Sequence, residues 1–193
     1  MCGRYYVDFQ VAEEVGKLAP DWERKLIAGA KKDIHPSEEA LVLTGQGGEA
    51  VVGTMRWGFP GYQGKGLIIN ARAEGVLDKP FFRDSILHRR CVIPAKGFYE
   101  WNKAKEKSTF YRKKSPVIWM AGCYKEYHGE NRFVILTTDA NVSVAAIHDR
   151  MPLILEQQEA EAWLLDDQAV EFLLHKIPPL LEREQEYEQM TLF

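Results

Sequence analysis

The sequence lacks any long apolar run. Its longest uncharged apolar stretches, such as residues 117–124, are much shorter than the roughly 20 residues that a membrane-spanning helix needs. The N-terminus also lacks the basic and apolar regions of a secretory signal peptide. With a hydrophobic content of 46% and a charged content of 27%, the chain is predicted to be a soluble cytoplasmic protein with no membrane partner.

Cysteine is scarce. Cys2, Cys91 and Cys123 are odd in number and far apart, and no Cys-x-x-Cys pair occurs. Neither a disulfide framework nor a structural zinc site is therefore indicated. A glycine-rich phosphate loop is also missing, which argues against the commonest nucleotide-binding folds. We expect no metal and no cofactor; a metal site built from the three cysteines and a histidine is a weaker alternative.

The chain has no strong excess of either charge, because its net charge is only −3 and its pI is near 6.0. Residues 83–114 nevertheless carry ten Lys and Arg against three acidic residues, a local net charge of +7. Residues 156–189 carry ten Asp and Glu against two basic residues, a local net charge of −8. This balance argues against a general nucleic-acid coating protein. The basic segment is compatible with a specific polyanion site or with a solvated face.

Short strand-like segments outnumber helices, and they predict an α+β fold. We expect a curved antiparallel sheet or β-barrel-like core with flanking helices. A chain of 193 residues suggests one domain, which we assign to residues 1–182, followed by an acidic tail at 183–193. Turns are predicted at 45–48 and 127–131. The predicted strands are 40–44, 50–55, 66–71, 91–94, 98–101, 110–112, 116–124 and 132–138, and the predicted helices are 11–18, 156–165 and 170–175.

A cysteine directly follows the initiator methionine, and this position allows unusual chemistry. Methionine aminopeptidases remove Met1 when the next residue is small, so the mature chain is expected to begin at Cys2. Its α-amine and thiol then form a 1,2-aminothiol, which condenses with an aldehyde through an imine to a thiazolidine ring. The α-amino pKa is roughly 7.7–8.0, so part of the amine is neutral and nucleophilic at pH 7. Alternatively, Cys2 is an ordinary residue near a frayed terminus.

Polar groups are concentrated in four short segments with apolar surroundings. Asn70 and Arg72 follow an apolar strand and share one face if that strand continues. Glu100 stands between aromatic residues, where burial favours the neutral carboxyl and suits it to proton shuttling. Taken singly, each segment is equally compatible with a structural role. The four segments are residues 2–4, 70–74, 97–101 and 148–152.

Five motifs together give the sequence a close resemblance to the SRAP family. The family comprises the SOS-response-associated peptidases, which are better described as abasic-site shielding proteins. The resemblance extends from residue 2 to about residue 165, with the motifs in family order and at family spacing. They are Met-Cys-Gly-Arg at 1–4, Met-Arg-Trp-Gly at 55–58, Asn-Ala-Arg-Ala-Glu at 70–74, Arg-Arg-Cys-Val-Ile-Pro-Ala-Lys-Gly-Phe-Tyr-Glu-Trp at 89–101 and His-Asp-Arg-Met-Pro at 148–152.

The resemblance implies DNA repair chemistry on abasic sites in single-stranded DNA. The ring-opened abasic sugar presents an aldehyde, the Cys2 amine attacks it, and the thiol completes a thiazolidine crosslink that shields the lesion. A Schiff-base intermediate also implies weak lyase activity. Removal of residues ahead of Cys2, the source of the peptidase label, ranks second. We expect a monomer that acts at damaged replication forks in the nucleoid, with a crosslink that is suicidal or slowly reversible.

The resemblance also assigns roles in the chemistry to four residues. Cys2 is the nucleophile, and Asn70 orients the N-terminal residue. Glu100 shuttles protons during ring opening and imine chemistry, and His148 acts on the sugar hydroxyls or as an acid and base.

Five further residues are expected to contact DNA. Arg4 and Arg72 would hold the phosphates that flank the lesion, since guanidinium groups bind phosphate in a bidentate manner. Trp57, followed by Gly58, could stack on a base or wedge the strand if exposed; a core tryptophan is the alternative. Pro36 is expected to line the DNA groove.

Two other functions remain open at this point. Glutamine amidotransferases of the N-terminal-nucleophile class also begin Met-Cys-Gly, but they need an Asn-Gly oxyanion element, and this chain has no Asn-Gly dipeptide. A non-covalent single-strand-binding module is the second alternative, in which Cys2 is incidental.

The last five residues suggest a partner. Gln189, Leu192 and Phe193 lie in Gln-Met-Thr-Leu-Phe, which looks like the Gln-x-x-Leu-Phe peptide that docks on the bacterial sliding clamp. The polar residues 182–188 before it could serve as a tether. The alternative is that Leu192 and Phe193 fold back on the domain as an apolar cap.

Overall fold

The computed structural model describes residues 2–18 and 32–185, and the α+β prediction is confirmed. The helices are α1 (Phe9–Leu18), α2 (Pro80–His88), α3 (Gln157–Leu165) and α4 (Val170–Leu174). The strands are β1 (Tyr5–Val7), β2 (Lys32–Ile34), β3 (Glu39–Gln46), β4 (Glu49–Trp57), β5 (Phe59–Pro60), β6 (Leu67–Ile68), β7 (Asn70–Arg72), β8 (Arg90–Ala95), β9 (Gly97–Trp101), β10 (Lys107–Tyr111), β11 (Ile118–Tyr127), β12 (Glu130–Asp139), β13 (Arg150–Pro152), β14 (Ile154–Leu155) and β15 (Glu182–Gln185).

Five strands close into a barrel in the order β3, β4, β12, β11 and β8, and β8 returns to β3. The contact between β4 and β12 is parallel and short, with Trp57 opposite Phe133, and the other contacts around the ring are antiparallel. Strand β8 is buried along its whole length. Closure leaves these strands few free edges and forms a rigid apolar support for the chemistry described below.

A second sheet carries the N-terminal strand across one side of the barrel. Its order is β15, β10, β9, β1 and β2, and its strand pairs are antiparallel. Tyr5 lies opposite Phe98, and Ser108 lies opposite Glu100. The sheet therefore brings the start of the chain beside Glu100.

Two tight turns join barrel strands as the sequence predicts. Gly47 and Gly48 connect β3 to β4 with φ of 60° and 84°, and His128 and Gly129 connect β11 to β12 with φ of 54° and 81°. Two successive positive φ values fit the two-residue turn that matches the twist of a hairpin. Glycine adopts this conformation without steric cost.

The predicted buried strand at 66–71 is wrong in its extent. It is divided into β6 and β7, and Leu67 is 40% exposed. Strand β6 pairs with the two-residue β5 in a small surface hairpin, whereas β7 pairs with β12 of the barrel. The apolar sequence is continuous, but its two halves join different sheets.

Helix α2 has no counterpart among the predicted elements. Its signals are Pro80 in the first turn and the buried pair Phe82 and Ile86 at i and i+4. The helix is short, and exposed apolar residues such as Phe81 obscure its amphipathic pattern.

The last described strand begins at the expected domain boundary, residue 182. Glu182–Gln185 form β15 and pair with β10, so residues 183–185 extend the second sheet. Gln189, Leu192 and Phe193 lie outside the described residues. In the part of the chain that is described, no helix is long and apolar enough to cross a membrane.

Candidate active site

Cys2 is fully buried, and a side chain from the barrel holds its main chain. The Nδ2 of Asn70 donates a hydrogen bond of 3.0 Å to the carbonyl oxygen of Cys2. The thiol makes a weak contact of 3.9 Å to the carbonyl oxygen of Arg4. That same carbonyl accepts a 3.0 Å hydrogen bond from the Tyr99 amide. The terminal segment is therefore fixed on both sides, by β7 and by β9.

The Cys2 thiol is protonated and uncharged at neutral pH, because its pKa is raised. Burial raises its pKa well above the ordinary value of 9.0, and the negative charge of Glu100 raises it further. A thiol in this environment stays protonated, so its addition to an electrophile needs a base nearby. Glu100 is the acidic residue whose charge acts on this thiol, so it is the candidate base.

Glu100 is 3% exposed and lies in β9. Strand alternation places it on the inward face, opposite Ser108, whereas Tyr99 and Trp101 point to the other face. There, Tyr99 stacks on Tyr6 and donates to Asp33 at 2.8 Å. The aromatic neighbours in sequence therefore do not surround the carboxyl. Its burial comes from the packing of the second sheet on the barrel.

Asn70 and Arg72 share one face of β7, as the sequence predicts. They lie opposite Ile135 and Thr137 of β12. Asn70 is half-buried, and its Oδ1 is a buried acceptor with no hydrogen-bond partner among the described residues. Arg72 is exposed, and within residues 2–18 and 32–185 no hydrogen bond or ion pair holds its guanidinium. Asn70 thus faces the Cys2 main chain, while Arg72, the next residue on that face, is available to bind an anion.

His148 is half-buried beside the start of β13, and its Nδ1 lies 2.9 Å from two groups. The backbone N–H of Arg150 donates to it, and Oδ1 of Asp149 lies at the same distance. The contact with the Arg150 amide requires an unprotonated Nδ1, whereas a hydrogen bond to the Asp149 carboxylate requires a proton on Nδ1. The amide can only donate, whereas the Asp149 side chain is 88% exposed and can turn to water. The geometry therefore favours Nδ1 as acceptor and the proton on Nε2.

A buried arginine joins the His148 segment to β7. Arg150 donates to both carboxylate oxygens of Glu74, at 2.5 and 3.0 Å, and to Asp139 and the carbonyl of Thr137, each at 2.7 Å. Burial raises the pKa of Glu74, but the hydrogen bond and charge of Arg150, a backbone hydrogen bond and the charge of Arg72 together outweigh it, so the pKa lies below its ordinary value. Both residues lie in motifs of the sequence, at 70–74 and 148–152, but the motifs do not indicate that the two residues pair.

Arg4 lies on the outer face of the second sheet near a turn that contains Pro36. Its Nε donates to Nδ1 of His35 at 3.4 Å, a terminal nitrogen lies 3.9 Å from Asp33, and the guanidinium sits 5.8 Å from the Trp101 ring centre. Pro36 is half-buried. Arg4 and Pro36 are thus brought to the same edge of the site, and Arg4 keeps about a third of its side chain exposed.

Trp57 and Gly58 form part of the core behind the site. Trp57 is fully buried, donates from Nε1 to the carbonyl of Ile69 at 3.0 Å, and packs on Tyr5 and Phe133. Gly58 is buried with φ of 109°, which favours glycine. The core alternative for Trp57 is thus the one observed. In this conformation no base can stack on its ring, and the pair supports the strand that leads to Asn70.

An exposed aromatic residue lies eight residues before Asn70 in the chain, and the sequence motifs did not predict a role for it. Tyr62 is 86% exposed in the turn between β5 and β6, shortly before Asn70. Its signal is an aromatic residue in the glycine-rich stretch Pro-Gly-Tyr-Gln-Gly at 60–64, where apolar burial is not expected. Across the described ranges, no group of three or more His, Cys, Asp or Glu is arranged to hold a metal ion.

Comparisons with known proteins identify the family and the fold. The sequence model of the family "SOS response associated peptidase (SRAP)" matches residues 1–191. The "Abasic site processing protein YoaM" of Bacillus subtilis is 30% identical over 187 residues, covering 85% of this chain and 79% of that protein. The corresponding YedK of Escherichia coli is 28% identical over 176 residues, with the same coverage. A crystal structure of a Bordetella bronchiseptica protein, 21% identical, covers 96% of this chain and 100% of its own with a TM-score of 0.78, which supports the fold alone.

Proposed function

This chain belongs to the SOS response associated peptidase family, and we propose that it forms a covalent thiazolidine crosslink between Cys2 and abasic sites in single-stranded DNA. Processing of abasic sites is what the names of its relatives YoaM and YedK state. For this chain, the crosslink requires removal of Met1, which converts the amide nitrogen of Cys2 into a free α-amine.

The observation that carries the proposal is the contact between Asn70 and Cys2. The Nδ2 of Asn70 holds the Cys2 carbonyl, and the Oδ1 of the same amide is a buried acceptor with no partner among the described residues. The α-amine of a terminal Cys2 lies within the same residue and supplies a donor for that oxygen. A buried polar atom without a partner is costly, so its position beside the terminus suggests a group that is present only in the mature protein.

The chemistry proceeds by addition and loss of one water. The α-amine adds to C1′ of the ring-opened sugar, giving a carbinolamine that loses water to form an imine. The thiol sulfur then bonds to C1′, its proton passes to nitrogen, and the five-membered ring closes. The thiol is only a few bonds from the imine carbon, so proximity favours ring closure over attack by bulk water.

Glu100 and His148 supply the proton transfers. The Cys2 thiol is protonated at rest, because burial and the charge of Glu100 raise its pKa. A carboxylate beside it can accept the thiol proton and return a proton to the departing water. His148, with its proton on Nε2, can donate to a sugar hydroxyl or to the ring oxygen during opening. The imine also permits β-elimination, so the proposal includes weak lyase activity. It also includes slow reversal of the crosslink. Peptidase activity toward residues ahead of Cys2 ranks second.

DNA reaches the buried terminus as an unstacked single strand. Because Cys2 is fully buried, the abasic sugar must leave the base stack to meet it, which is easiest in single-stranded DNA. We assign the flanking phosphates to Arg72, which is exposed, and to Arg4, which keeps about a third of its side chain exposed, and a stacked base to the exposed ring of Tyr62.

The test is intact mass spectrometry with a denaturing gel on the mature protein mixed with an abasic single-stranded oligonucleotide. We expect an adduct equal to the two masses less one water, stable without borohydride. Cys2→Ala should lose the stable adduct. Cys2→Ser should give a labile one, because its amine still forms the imine. Cys123→Ala, which keeps the terminal aminothiol, serves as the control. An unchanged adduct from Cys2→Ala refutes the thiazolidine, and a glutaminase assay on the same protein tests the amidotransferase alternative.

We also propose that Gln189, Leu192 and Phe193 dock on the replication sliding clamp. The supporting observation is that β15 pairs with β10 up to Gln185, which anchors the start of the tail on the sheet. Tethering there would raise the local concentration of the protein where polymerases stall. The full chain and a chain lacking the last five residues are compared for binding to purified clamp. A version with these five residues in scrambled order is the control, and equal binding by all three chains contradicts the proposal.

A further inference from the structure

Ser108 carries a buried hydroxyl that the folded chain does not use. The residue is 1% exposed in the middle of β10, and its Oγ has no hydrogen-bond partner in the part of the chain that the structure describes. A buried hydroxyl that lacks a partner weakens the fold relative to an apolar side chain of the same size. A role outside folding would explain why this position holds serine.

Of the two residues opposite Ser108 on the neighbouring strands, one is a candidate hydrogen-bond acceptor for its hydroxyl. On one side it lies opposite Gln185, whose side chain already bonds Arg183 and Glu106. On the other side it lies directly opposite Glu100. Side chains opposite each other in an antiparallel pair share one face, with Cβ atoms roughly 4.5–5.5 Å apart. Both residues are buried on the inward face, so rotation about the Ser108 Cα–Cβ bond can turn its hydroxyl to the carboxylate.

We propose that Ser108 is a positioning residue for the crosslinking reaction. Its hydroxyl donates a hydrogen bond to the Glu100 carboxylate and orients it toward Cys2 while Glu100 exchanges protons with the thiol and the amine. The inference rests on the proposed function, because Glu100 is assigned there as the proton-transfer group. It adds a residue that touches neither the DNA nor the reacting atoms and acts only through Glu100.

The experiment uses the mature full-length protein with Met1 removed, an abasic single-stranded oligonucleotide and four variants. Ser108→Ala removes the hydroxyl, Ser108→Thr keeps it, and Ser108→Val matches threonine in volume without it. Thr109→Ala, on the opposite face of β10, is the control. The rate of adduct formation is measured at saturating protein, and affinity is measured on an undamaged strand of the same sequence.

A hydrogen bond to a charged group leads us to expect that Ser108→Ala and Ser108→Val slow adduct formation by about tenfold. Ser108→Thr and Thr109→Ala should stay within about twofold of the wild type, and affinity should not change in any variant. Thermal melting of each variant shows that the comparison is between folded proteins.

The other results overturn the proposal. Equal rates in Ser108→Ala and the wild type show that the hydroxyl is not used. Equal losses in Ser108→Thr and Ser108→Val show an effect of volume, and a parallel loss of affinity shows an effect on binding. A wild-type protein that forms no adduct refutes the proposed function as well. A reactive wild type with an unchanged Ser108→Ala refutes only the role of Ser108.

Discussion

The guanidinium of Arg150 binds both carboxylate oxygens of Glu74, and this ion pair joins two parts of the site. Glu74 follows β7, which carries Asn70 and Arg72, whereas Arg150 begins β13, two residues after His148. The N–H of Arg150 also fixes the ring of His148. The ion pair therefore adds a direct link between β7 and β13, two strands that each also pair with β12.

Replacing Glu74 by glutamine should destabilise the protein. The change removes the charge that faces a buried guanidinium, but Asp139 remains in contact with Arg150, and the Glu74 side chain is 47% exposed. We therefore expect a loss of about 1–2 kcal/mol in the free energy of unfolding, less than for a fully buried pair. Urea unfolding measures it. Glu49→Gln, at an exposed residue without an ion pair among the described residues, is the control, and equal stability of both variants and wild type contradicts the expectation.

The stabilisation by Glu74 should also depend on pH. Burial alone would raise its pKa, but the hydrogen bond and charge of Arg150, together with a backbone hydrogen bond and the charge of Arg72, lower it below the ordinary value of 4.5 in the folded state. A lowered folded pKa gives stability that is fully present above 4.5 and is lost as the pH falls through the folded value. The difference in unfolding free energy between wild type and Glu74→Gln should therefore shrink on acidification below about pH 4.5. The titration of the other acidic groups affects both proteins equally and cancels in this difference. A difference in unfolding free energy that stays constant from pH 7 to pH 3 would show that ionisation of Glu74 does not stabilise the fold.

The hairpins could be predicted from the sequence because their signals are local. Gly47 and Gly48 lie between two apolar runs, and backbone sterics then determine the turn. The contact between Asn70 and Cys2 spans 68 residues and depends on how β7 joins the barrel. Spacing along the chain carries no information about that contact, so the motif could indicate the two residues but not their geometry.

Burial of single aromatic residues was the least predictable property. Trp57 and Tyr62 lie five residues apart in similar surroundings, yet one is fully buried and the other is 86% exposed. The difference arises because Trp57 ends a barrel strand opposite Phe133, whereas Tyr62 lies in a surface turn. Glu100 shows the same limitation, since its aromatic sequence neighbours point away from it.

Variants of the two proposed proton-transfer residues should lower the rate of adduct formation without lowering the affinity for DNA. Glu100→Gln and His148→Ala should slow adduct formation, by about 10²–10⁴-fold for a lost general acid or base. Neither side chain is expected to hold DNA phosphates, so affinity for an undamaged single strand should stay close to that of the wild type. A crosslinking time course beside fluorescence anisotropy distinguishes the two effects. If affinity falls as much as the rate does, these residues bind DNA instead of moving protons.

Arg72 should contribute to affinity through a phosphate contact. Arg72→Ala should weaken single-strand binding and reduce the slope of log affinity against log salt by about 0.7, the value for one phosphate contact on a single strand. Arg4→Ala should have a smaller effect, because His35 and Asp33 already hold this side chain. Arg183→Ala, on the acidic strand β15, is the control. An unchanged affinity and slope for Arg72→Ala would remove its phosphate role.

Tyr62 should stack on a base next to the lesion. Its ring is 86% exposed in a turn fixed by Gly61, whose close approach to the Lys65 carbonyl leaves no room for a side chain. Loss of one base–aromatic stack costs about 1–3 kcal/mol, so Tyr62→Ala should weaken single-strand binding by about 5-fold to 150-fold. Tyr62→Phe should bind as the wild type does, because the ring face is retained. Phe172→Ala removes an equally prominent ring, 74% exposed on α4 within the acidic segment, and should leave affinity unchanged. A Tyr62→Ala protein that binds like Phe172→Ala would mean that the exposed ring serves another purpose than contact with DNA.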